Sequence, residues 1–299
     1  MTRRLRTVGL LTQVVVLLWT LPALSGQPIA ETRKVDKDAT ISIENLAGEV
    51  TVTGWDQNEV KITGTLDEKA EKLEIVGGGA ELSIEVRYPD RVRNIKEGSD
   101  LAIMVPRGAD VEISTVSADV SVDAVSGELE IETVSGEVRL RGKPAAVEAE
   151  AVSGSFDVDV ATDSATLTCV SGDIVVRGAI GELECGVVSG SIDVAAGKDL
   201  SALECETVSG DVTVTGELPR AADWSLSAHS GDITVNLLGK VDAEFRIGTF
   251  SGEIHDVFGH QAERTSRYAP GRSLEFTEGE GSATVEIDAF SGDVQVLKK

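Results

Sequence analysis

Carboxylates recur one residue after a turn along most of this 299-residue chain. Asp119 follows Ala118, and Glu137, Asp173, Asp211, Asp232, Glu253 and Asp293 each follow a glycine; Ser155 and Ser191 interrupt the column. Stacked carboxylates about 5 Å apart repel one another, and a divalent cation between them relieves the repulsion. Asp173, Asp211, Asp232 and Glu253 are therefore the candidate metal ligands. A second reading has these side chains bracing the turn, bonded to nearby backbone N–H groups and facing water. Calcium-binding solenoid repeats carry Gly-Gly-x-Gly-x-Asp, with more glycine per corner than the single Gly found here. The bracing reading is preferred, and no metal or cofactor is assigned.

Other reactive types are arranged just as regularly. A serine precedes each turn glycine, from Ser117 to Ser291. A nucleophilic serine is singular and needs a base, and the chain has only His229, His255 and His260. His229 replaces the valine of one turn and reads as a packing variation. Cys185 and Cys205 share a column in adjacent repeats, which puts a disulfide within reach; two small buried thiols in a core is the preferred reading. Cys169 falls in another column and is expected free. No catalytic residues are assigned.

Two basic loops stand out from an acidic background. One carries Arg91, Arg93 and Lys96; the other carries His260, Arg264, Arg267, Tyr268 and Arg272. Loops on a rigid scaffold commonly carry binding sites. Arg264, Arg267, Tyr268, Arg272, Arg91 and Arg93 are the partner-binding candidates, with ordinary solvated loops as the alternative.

The elements that position these residues follow from one repeat. Aligned on the turn, Ala118, Gly136, Gly154, Gly172 and Gly190 are 18 residues apart, and Gly210, Gly231, Gly252 and Gly292 follow at 20, 21, 21 and 40. Two and four residues after the turn stand Val, Ile, Leu or Phe, with Asp256 the exception; five and seven before it stand apolar residues again, with polar residues between. Period two with β-branched residues is a strand with one face buried. The Val and Ile of the repeat are read as core, together with Phe156, Trp224 and Phe245, which leaves no aromatic face for a sugar.

One such hairpin cannot bury its face alone, but a stack can. The expected fold is all-β: a β-solenoid of 18–21-residue rungs, two short strands each, with an antiparallel meander as the alternative. Residues 38–115 alternate less regularly and are expected to begin the same sheet and cap its open end. The 40-residue step predicts an insertion near 256–281, with strands at Ser273–Thr277 and Ala283–Asp288. The final "FSGDVQVLKK" is expected to close the rod.

The ends and the composition set the compartment. Arg3, Arg4 and Arg6 precede an apolar stretch from Val8 to Leu21 and a small-x-small Ala23-Leu24-Ser25. This is the pattern of a secretory signal peptide over residues 1–25, followed by a linker over 26–37. No later segment is apolar enough to span a bilayer. The formal net charge of −24 becomes −27 once the leader arginines are removed, which disfavours nucleic acid and anionic surfaces.

"IENLAGEVTVTGWDQNEVKI" and the serial "VSGDIVV"-type repeats resemble a family of exported bacterial β-strand-repeat proteins of unknown function labelled putative adhesins. The likeness covers roughly residues 38–299, and "FSGDVQV" resembles that family's final repeat. It implies the fold and supplies no catalytic residues. The expected function is a non-enzymatic structural or adhesive protein. It would serve as an interaction scaffold at the cell envelope (periplasm, surface or exterior), binding an unknown protein or envelope component. A periplasmic accessory or sensor module is the alternative. A glycan-acting β-helix enzyme is third, lacking clustered acid, base and aromatic residues.

Overall fold

Strand propensity and a two-residue apolar period act together in every repeat, and strands fill most of the described residues. The computed structural model describes residues 26–89, 98–265 and 270–299, and holds no helix among them. The early strands are β1 (Gln27–Trp55), β2 (Glu59–Leu66), β3 (Lys72–Arg87), β4 (Ser99–Pro106) and β5 (Asp110–Val125). The repeats continue as β6 (Leu129–Gly142), β7 (Ala146–Ser171), β8 (Ile174–Ser189) and β9 (Ile192–Ala196). From there each rung is two strands: β10 (Ala202–Ser209) with β11 (Val212–Glu217), then β12 (Asp223–Ser230) with β13 (Ile233–Leu238). The last are β14 (Ala243–Ser251), β15 (Ile254–Asp256), β16 (Glu263–Arg264), β17 (Arg272–Glu278), β18 (Ala283–Ser291) and β19 (Val294–Lys298).

The ladders between repeats are parallel, so the repeat does not form an antiparallel meander. Ser117 pairs with Ser135 and Ser135 with Ser153. Ser171 pairs with Ser189, Ser189 with Ser209, and Ser209 with Ser230. The inward columns make one continuous core, in which Phe156, Trp224 and Phe245 are fully buried. Trp224 satisfies its indole N–H by donating to the Leu200 carbonyl at 3.1 Å.

Glycine is required at the corner for two reasons. Gly172, Gly190, Gly210 and Gly231 hold φ of 148–151°, where a Cβ is strained. A Cβ on Gly172 would also collide with the carbonyl oxygen of Gly154, and one on Gly190 with that of Gly172.

Both ends depart from the sequence order. The final segment does not close the rod: β18 pairs with β12 on one side and β14 on the other, and β19 lies between β13 and β15. Gly292 sits on the Gly231 carbonyl and Gly252 on that of Gly292. The insertion carries β17, which runs antiparallel to β14 and covers the outer edge with Phe276 stacked on Phe245 at 4.7 Å. At the amino end β1 lies between β5 and the pair β3 and β4. Residues 27–34 are strand rather than linker, antiparallel to β2, which also pairs with β4. Antiparallel strands thus cover both open ends of a parallel stack, where bare edges would template aggregation.

Candidate functional site

The corner presents an apolar line to solvent. The valine before each Ser-Gly step is not core: Val116, Val134, Val152, Val170, Val188 and Val208 are each 44–51% exposed. The inward residue is its predecessor, for example Cys169, Val187 or Thr207. The strand period shows why. Inward positions lie seven, five and three residues before the glycine, and the valine two before it is out of step. Threonines at several third positions disguise the true inward column, and Thr115 and Thr133 hide their hydroxyls by bonding each other at 2.8 Å.

The line continues with His229, Phe290 and Phe250, in that spatial order. Phe290 lies parallel to His229 at 4.7 Å and to Phe250 at 5.0 Å. Both phenylalanines are about half exposed, so aromatic residues are not all inward. Phe290 is covered on both faces by its two neighbours, and Phe250 is stacked on one.

Beside this line runs a groove of about 770 Å³, crossing the rungs from Thr168 to Gly248. Its floor is small or short-chained at Gly186, Ala228, Gly248 and Ala289. Glu206 and Asp288 stand in it, and burial pushes the Asp288 carboxyl above its ordinary range. Thr265, Gly271, Arg272 and Ser273 shut one end, where Thr265 donates N–H and hydroxyl to the Gly271 carbonyl at 2.9 and 3.1 Å. A smaller hollow of about 290 Å³ takes in Leu46, Tyr88 and Val116 at the opposite end of the line.

The strands before the corner add stacked acids. Glu112, Glu130 and Glu148 are in register, as are Glu184 and Glu204. Desolvation, then repulsion from Glu112 and Glu148, raises the Glu130 carboxyl. On a strand after the corner Asp157 is paired: it takes Arg141 at 2.8 Å and Arg177 at 2.9 Å, which lowers its pKa.

The predicted site residues are placed as follows. In the acidic column, Asp173 Oδ1 accepts from the Ser191 N–H, Asp211 from Asp232, Asp232 from Asp293, and Asp293 from Glu253, all at 2.8–2.9 Å. Each aspartate therefore staples its corner to the next rung. Glu253 neighbours Asp293 rather than Asp232. No group of three or more His, Cys, Asp or Glu able to hold a metal occurs among the described residues. Arg264 pairs with Arg272 across β16 and β17, and Arg272 reaches Glu253 at 3.1 Å. Arg267 and Tyr268, like Arg91 and Arg93, lie outside the described residues. Cys185 and Cys205 face each other unbridged and buried; hydrogen bonding to Cys185, with burial, pushes the Cys205 thiol up. Cys169 donates to the Gly154 carbonyl at 3.1 Å.

Repeating parallel rungs, a corner glycine and aspartate staples at five of the eight steps between corners define an all-β repeat protein. The chain belongs to the family described as Toastrack DUF4097, which it matches over residues 39–297. The chain is similar to a putative adhesin from Bacteroides fragilis, with 12% identity over 91% of this chain and 97% of that one, TM-score 0.47. A putative adhesin from Parabacteroides distasonis is similar at 12% identity over 91% and 98%, TM-score 0.44. A putative lipid binding protein from the same species shows 17% identity over 91% and 97%, TM-score 0.37. No curated protein matches the chain.

Proposed function

We propose that this protein is a non-enzymatic, exported scaffold that binds a partner at the cell envelope, its ladder winding as a β-solenoid of 18–21-residue rungs. One observation carries the reading: a rigid in-register stack holds a continuous exposed apolar line beside an open groove. Apolar surface kept exposed and contiguous is characteristic of interaction sites. The leader-like Arg3 to Ser25 supports export. The regular serine and aspartate columns build corners, which supports a structural role over a catalytic one.

Fractionation with crosslinking in the native envelope tests this. The protein is expected outside the cytoplasm, joined to one or a few defined partners. A cytoplasmic location, or no partner at saturating crosslinker, would overturn the reading.

A further inference from the structure

We infer that the corner groove is a docking channel for an extended polypeptide segment that is both apolar and basic, lying along the stack axis. This rests on the scaffold reading above and names its partner by chemistry.

The apolar line is a property of one position. The residue two before the corner is valine or phenylalanine in eight repeats and histidine in the ninth, and its neighbour is serine every time, exposed in all but Ser135. Solvent alone gives no reason for that difference. The groove is open where the floor is small: a Cβ at Gly186 would meet only the Thr168 methyl, at 4.0 Å.

Charge selects the occupant. Neither Glu206 nor Asp288 has an ion-pair partner among the described residues. The carboxylate of Asp288 is held partly desolvated in the groove wall, where a cation relieves it. An anionic headgroup or fatty acid would meet these two acids, and Arg272, the one arginine or lysine of the lining among the described residues, is already held by Glu253. A second copy would bring together two strongly acidic chains, each of net charge −24 with its leader and −27 without the three leader arginines. The line of Val208, His229, Phe290 and Phe250 suits aliphatic side chains, with Phe290 stacked on both faces.

Length selects a polypeptide. Six rungs span on the order of 24 Å, which about seven extended residues cover. Alternate side chains then lie on the Val/Phe line, and the others face the acids.

A labelled twelve-residue peptide alternating leucine and lysine tests this by fluorescence anisotropy, beside its leucine–glutamate counterpart and oleate. The lysine peptide is expected to bind and the glutamate peptide not. Val188→Ser with Val208→Ser should weaken binding at least tenfold with melting unchanged, since both side chains are half exposed. Glu206→Gln with Asp288→Asn should weaken it and flatten its salt dependence. Equal binding by these variants, comparable binding of the glutamate peptide, or oleate binding in place of the peptide overturns the proposal. So does concentration-dependent dimerisation lost in Val188→Ser with Val208→Ser. A photo-crosslinker at Val208 or at exposed Asp193, in the native envelope, separates the two readings. Adducts from Asp193 alone leave the scaffold and remove the groove. No adduct from either removes both. An adduct at Val208 must map to a segment alternating apolar and basic residues; any other adduct overturns the groove proposal.

Discussion

The Phe290 ring lies flat on Phe250, 5.0 Å between centroids, although Phe290 comes last in the chain and Phe250 is outermost of the two in the stack. On its other face is His229, from the rung that precedes Phe250 in sequence. The carboxy-terminal segment is thus threaded between two rungs already present, with its inward Val285 opposite both Trp224 and Phe245.

This threading predicts the pattern of amide exchange. The amides of residues 285–289 should be protected as strongly as those of 224–228, because both lie inside the ladder. Fraying should instead appear in residues 274–278, whose strand has one ladder neighbour there. Deleting 283–299 should uncover Trp224 and Phe245 together and unfold the carboxy-terminal third. If 285–289 exchange first, the rung order is wrong.

A corner glycine and a groove glycine should respond in opposite ways. Gly172→Ala adds a Cβ that collides with the Gly154 carbonyl at a φ of 148°, and should cost more than about 2 kcal/mol, since the left-handed penalty alone is about 1–2. Gly186→Ala has ordinary φ and space, and should be neutral or stabilising by about 0.5–1 kcal/mol. Chemical denaturation measures both. Gly186→Ala also raises the groove floor, so peptide affinity should fall while stability does not.

The stapling aspartates predict indifference to calcium. Asp232→Ala leaves the exposed Asp293 N–H to water and should cost about 0.5–1.5 kcal/mol. Millimolar calcium should leave the melting temperature of the unaltered protein where it was. A rise of several degrees would restore the cation-binding reading of Asp173, Asp211, Asp232 and Glu253.

The repeat, the buried columns and the corner glycine were legible because each is a local demand: alternate burial, and room for a carbonyl. Phe156, Trp224 and Phe245 fall out of that pattern directly. Rung order was not legible. Every rung offers nearly the same apolar columns, so β18 fits against β12 as well as β14 does, and column matching cannot choose between them. What decides is the length of chain between Asp256 and Ala283, enough to lay β17 along the edge and return. The exposed valines were misread for a different reason. Valine is the usual inward residue, and only its position within the two-residue period marks Val152 or Val188 as outward.

Thiol chemistry checks the core at Cys185 and Cys205. All three cysteines are buried and unbridged. The unfolded protein should therefore titrate three thiols without reductant, and the native protein close to none. Burial and its bond to Cys185 raise the Cys205 thiol, so mild alkali should not expose it to alkylation before unfolding begins. A count of one in the unfolded protein would show a bridge.

The groove acid gives the pH dependence its sign. Burial raises the Asp288 carboxyl in the folded chain, with Glu286 adding repulsion. The folded state therefore holds that proton more tightly than the unfolded one, and the charged form is a penalty present above the folded pKa and relieved as pH falls through it. Asp288→Asn should raise the melting temperature at pH 8 and make no difference at pH 3, below the ordinary aspartate pKa of about 3.9. Asp157 has the opposite sign, because Arg141 and Arg177 lower it; Asp157→Asn should destabilise at pH 8 and lose its effect as pH falls below about 3.9. Peptide binding should follow Asp288, weakening on acidification in the unaltered protein and losing that part of the trend in Asp288→Asn. A melting temperature for Asp288→Asn below that of the parent at pH 8 would mean the carboxylate is held by a favourable partner, and the groove would no longer be short of a cation.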